Sequence, residues 1–72
     1  MLSNRFLLTL RNEIIALVKN CTTAKRMELL GNNRFHTCLD LLDPELPNHT
    51  DDAEEASLAF HNALRMIGLY KG

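Results

Sequence analysis

The stretch Phe35-His-Thr-Cys-Leu-Asp-Leu-Leu-Asp-Pro44 limits what this chain can become more than any other. Phe35, Cys38, Leu39 and Leu42 recur at i, i+3, i+4 and i+7, the spacing of one buried helical face. Pro44 disfavours a helical conformation in the residue before it, so this helix is expected to stop at Asp43. The residues before it read as helix able to fold back on that face. Those after it read as a loop and one more helix able to close the other side.

Seventy-two residues make one domain, residues 1–72, near the lower limit for a single hydrophobic core. A core of this size rarely supplies more than about 3–5 kcal/mol without disulfides, metal or a partner. The chain is 46% hydrophobic, far from a disordered composition, and so much apolar surface in so short a chain favours burial against another molecule. With three Phe, one Tyr and no Trp, it has no stacking platform for bases. The charges are segregated. Residues 1–36 carry a net +4 and residues 37–64 a net −7, and Arg65 and Lys71 bring the total to −1. Such polarity orients a partner or a second subunit.

The first helix is expected from Ser3, its N-cap, to Lys19, with Phe6, Leu7, Leu10, Ile14, Leu17, Val18 and Cys21 on the core face. Asn20 is expected to close it as a left-handed residue, although a first helix running unbroken to Leu30 also fits. A second helix, Thr23 to Leu30 behind Thr22 as N-cap, would bury Ala24, Met27 and Leu30 and expose Lys25, Arg26 and Glu28. A left-handed Gly31 ends it, and Asn33 caps the third helix. Pro47 and Asn48 mark a loop. Thr50 or Asp51 then starts the last helix, with Asp51-Asp52-Ala53-Glu54 in capping-box form and four acids set against the helix dipole. Its broad face holds Ala53, Ala56, Ala59, Phe60, Ala63, Leu64, Met66, Ile67 and Tyr70, and its small residues admit a close neighbour. Gly68 is expected to fray the end.

Two apolar pairs fall off these faces. Leu8 and Ile15 flank Arg11, and Leu58 and Leu69 lie beside Asn62 and Arg65. These four residues are the candidate partner-binding surface. Cys21 and Cys38 are too few for a disulfide scaffold and read as reduced, mostly buried thiols. No secretory leader is evident and no run approaches the roughly 20 apolar residues of a membrane span, so the expected location is cytoplasmic.

No chemistry-bearing motif appears. His36, His49 and His61 form no H-x-x-x-H pair, and there is no C-x-x-C, so neither a metal nor a cofactor is expected. A nucleophile elbow and a Gly-rich phosphate loop are both missing, and so small a domain is expected to leave little room for a pocket of several hundred cubic ångströms. The chain is therefore read as non-enzymatic, without a small-molecule substrate. Thr23–Asp40 has the helix–Gly–helix outline of a DNA-binding motif. However, Met27 stands where a small residue belongs, Asn32 stands where an apolar one belongs, and Arg34 is the one base beside His36, Thr37 and Asp40. Nucleic acid is not the expected partner.

Asn33-Arg-Phe35-His-Thr-Cys38-Leu39 resembles the start of the second helix of a tetratricopeptide repeat, and Leu29-Leu30 suits the end of that repeat's first helix. The resemblance covers Thr23 to Pro44, without the repeat's Trp or its full period. Together with Glu55–Leu69, the layout is similar to the small helical chaperones that hold subunits of type III secretion systems. Short helical antagonists of virulence transcription regulators are similar in size, but the Trp expected in them is missing. The resemblance implies a chaperone or adaptor, with a small transcription regulator or regulator antagonist as the alternative. The expected architecture is all-α, a bundle of three to four short helices with a tetratricopeptide-like hairpin in the middle. It would bind a protein partner or form a homodimer.

Overall fold

The computed structural model describes residues 2–69, which form four α-helices and no strand. They are α1 (Asn4–Lys19), α2 (Thr23–Leu30), α3 (Asn33–Leu41) and α4 (Ala53–Ile67). The Ser3 and Thr22 hydroxyls cap α1 and α2 by accepting the Phe6 and Lys25 amides at 3.1 and 3.2 Å. The first two helices are separate, and no left-handed residue divides them, because Asn20 is right-handed with φ −91°. Arg26 does that work. Its guanidinium reaches back to the last carbonyls of α1, donating to Val18 O at 3.4 Å, Lys19 O at 2.9 Å and Cys21 O at 3.3 Å. A cation on the carbonyls at and just beyond the C-terminus of α1, where the helix dipole is negative, stabilises the break.

The same latch sets the rotation of α2. With Arg26 turned inward, Lys25 and Arg26 are half-buried and Leu29 is fully buried. The face expected inside is outside instead. Ala24 is exposed, Met27 is 69% exposed and Leu30 55%. Gly31 is also not left-handed (φ −91°), and α2 ends in a tight turn through Gly31 N–H to Met27 O and Asn32 N–H to Leu29 O.

Asn32, one residue before the expected cap, starts α3, its Oδ1 accepting the Arg34 and Phe35 amides at 2.8 and 3.2 Å. The helix stops at Leu41 rather than Asp43. Asp43 is instead the head of a turn, its carboxylate accepting the Glu45 amide at 3.0 Å and its carbonyl the Leu46 amide at 3.1 Å. Thr50 proves to be a loop anchor. It is buried, its amide donates to Leu41 O at 2.9 Å, and its hydroxyl accepts the Asp52 amide at 3.0 Å. The cap of α4 therefore falls to Asp52, which accepts the Glu54 amide at 2.9 Å. At the far end Gly68 does not fray. It is left-handed (φ 95°), and Gly68 N–H to Arg65 O with Leu69 N–H to Leu64 O closes α4 as a Schellman motif. Tyr70, expected on the face of α4, lies outside the described residues.

α4 is the central element and packs against the other three helices. Ala56, Ala59 and Ala63 are all buried, which lets α1 and α3 approach closely. Leu7 and Ile14 of α1, Leu29 of α2, Phe35 and Cys38 of α3, Leu42 and Ile67 complete the core. Phe6, expected in it, is 43% exposed. It lies at the edge of a stripe centred on Leu7 and Ile14, while Arg11 on the other edge pairs with Asp43 at 3.7 Å. Ala53 of α4 is also exposed, in the first turn beyond the core. With extents of 37 × 26 × 18 Å the molecule is about two helices thick, each roughly 10 Å across.

Candidate protein-binding groove

Thr50 brings the start of α4 back beside the end of α3, so the two helices run past each other in opposite directions. Between them lies a trough of about 700 Å³, open to solvent. A trough of that size stands against the expectation of little room in so small a domain. The space exists because the residues at its floor are short: Cys38 and Ala59 let the backbones approach while leaving no side chain to fill the surface above. Leu41, Leu58 and Met66 give it apolar walls, and Asn33, Arg34, Thr37, Glu55, Asn62 and Arg65 form a polar rim. The antiparallel run places Arg34 and Arg65 at one end and Leu41 and Glu55 at the other. The trough is thus basic at one end and acidic at the other.

Of the four residues singled out from the sequence, Leu58 lines this groove and is 62% exposed. The other three are elsewhere. Leu8 is 39% exposed on α1, Ile15 is half-buried on the Arg11 edge of the same helix, and Leu69 is 59% exposed beyond Gly68. Leu41 and Met66, apolar walls that no periodic argument marks as a surface, were missed. The opposite charges at Glu55 and Arg65, with Leu58 between them, are the signal that points to the groove from sequence.

The groove is poorly equipped for covalent chemistry. Burial pushes the Cys38 thiol pKa up, favouring the protonated, unreactive form, and no histidine stands among the lining residues. Cys21, half-buried, donates its Sγ to Leu17 O at 3.4 Å, and both thiols are free. Among the described residues no three His, Cys, Asp or Glu side chains converge as a metal site would require, and no helix is long and apolar enough to cross a membrane. Of the side chains that a DNA-reading helix would present, His36 and Thr37 are exposed and contact nearby backbone carbonyls. His36 Nε2 lies 2.6 Å from Leu30 O, Thr37 donates to Asn33 O at 3.0 Å, and Asp40 is half-buried. No family model, curated protein or solved structure matches this chain.

Proposed function

We propose that the chain is a small, non-enzymatic protein-binding module of the chaperone or adaptor kind, working in the cytoplasm. One observation carries the reading: an apolar-floored, polar-rimmed trough between two helices, with Leu58 exposed on its wall. A surface of that form suits an amphipathic helix, with Cys38, Leu41, Ala59 and Met66 under its apolar stripe and Asn33, Thr37 and Asn62 beside its polar edges. In this reading α2 and α3 act as a tetratricopeptide-like hairpin, and the functional analogy is to the small chaperones of type III secretion. Leu8, Ile15 and Leu69 add contacts only for a partner that extends beyond the groove.

Affinity capture from the native host, read by mass spectrometry, tests this directly. The wild type should retain a protein in a complex that survives raised salt, and Leu58→Asp should lose it while circular dichroism stays unchanged. Retention equal in both variants would remove the groove from the mechanism. Affinity for DNA that falls steeply with salt would replace the reading with a nucleic-acid one.

A further inference from the structure

Along the exposed wall of α4 the residues Glu55, Leu58, Asn62 and Arg65 follow one another at spacings of three, four and three. This spacing keeps all four side chains on one side of the helix, where a neighbouring helix can meet them together. The stripe has a symmetry in its chemistry. Glu55 and Arg65 carry opposite charges and stand at equal distances on either side of the midpoint between Leu58 and Asn62. When such a stripe is turned end over end against itself, each acid meets a base. We propose that in the free protein the occupant of the groove is a second copy of this chain, with α4 antiparallel to its counterpart about a two-fold axis beside that midpoint. This rests on reading the groove as a helix-binding surface and names its resident partner.

The ten steps from Glu55 to Arg65 span about 15 Å of helix, so the two reciprocal ion pairs stand at opposite ends of one short interface. Each Leu58 lies opposite the other copy's Asn62, above the short residues of the floor. Leu58, 62% exposed in the single chain, is covered in that position. The second base at the basic end, Arg34, reinforces the match, because it shares that end of the groove with Arg65 and meets the same acidic end of the other copy. An isologous contact pairs residue i with j and j with i, so one acid and one base on the same helix face satisfy both ends of the interface at once. A client then binds by displacing the second copy, which protects the apolar floor until one arrives.

Charge reversal tests the symmetry. Sedimentation equilibrium of the full chain should show a reversible dimer. Glu55→Arg sets two bases against each other twice and Arg65→Glu two acids twice, so each alone should weaken the dimer about tenfold to a hundredfold. An equimolar mixture of the two variants restores both ion pairs and should dimerise far more strongly than either alone, short of the wild type by the one end where Arg34 then faces the introduced base. The double variant carries the swapped pair within one chain and should recover too, but less, because Arg34 then opposes a base at both ends. Circular dichroism confirms that these exposed positions leave the fold intact. A wild type that stays monomeric into the millimolar range overturns the proposal, as do single variants that dimerise normally or a mixture that does not recover. If the wild type is monomeric yet retains a protein through Leu58, the second copy fails and the protein-binding reading stands. If retention is also independent of Leu58, both fail.

Discussion

Gly31 and Gly68 both follow a helix, yet their backbones ask for different things. Gly31 has φ −91°, a conformation open to any residue, and a Cβ built there would meet Met27 O at 3.5 Å, an ordinary contact. Its hydrogen leaves the unfolded chain needlessly free. Gly31→Ala should therefore be neutral or stabilise by about 0.5–1 kcal/mol in urea denaturation. Gly68 has open space around it but φ 95°, where a side chain crowds its own backbone. Gly68→Ala should cost about 1–2 kcal/mol by loosening the Schellman closure of α4. If Gly31→Ala were the costlier change, the two helix ends would have been described the wrong way round. The sequence shows only a glycine after an apolar run in both places. The difference lies in which carbonyl the next amide reaches, Asn32 N–H going back three residues to Leu29 O in one case and Leu69 N–H back five to Leu64 O in the other.

At the level of elements, the parts legible in the sequence are those decided within one or two turns. The caps at Ser3 and Thr22 need only a hydroxyl three residues before an amide, and the buried face of α3 needs only Phe35, Cys38 and Leu42 at helical spacing. The rotation of α2 could not be read that way. Its apolar residues Ala24, Met27 and Leu30 form a convincing inward stripe, but Arg26 has three carbonyl partners at the end of α1, and a charged donor outweighs a few half-exposed side chains. Asn32 and Asn33 are chemically identical caps, so only the geometry of the turn chooses between them. The groove was only partly legible: Glu55, Leu58 and Arg65 mark one wall in the sequence, but its floor depends on how closely Cys38 and Ala59 let α3 and α4 approach. Arg26→Ala should accordingly cost about 1–3 kcal/mol, more than a truncation at the exposed Met27, which belongs with surface changes of about 0.5 kcal/mol or less. Paired denaturation curves for the two variants check the ordering. Equal losses would return Met27 to the core and make the latch decorative.

For the whole molecule, the question is which apolar residues hold one copy together and which are left for another molecule. A single core of this size rarely supplies more than about 3–5 kcal/mol. Leu42 is 0% exposed, so Leu42→Ala should remove about 2–5 kcal/mol, a large fraction of the total, and lower the melting temperature by about 10–30 °C at every concentration. Leu58 is different, because the single chain gains little from a side chain that is 62% exposed. If the groove closes on a second copy, the wild type's melting temperature climbs with protein concentration, as binding to the folded state requires. Leu58→Asp should abolish that climb while melting like the wild type at high dilution. Calorimetry over a dilution series separates the two behaviours: Leu42→Ala shifts the whole curve, and Leu58→Asp flattens it. A Leu58→Asp variant that melts low even when dilute would place this residue in the monomer's own core. The trough would then be part of how the chain folds rather than a surface it offers.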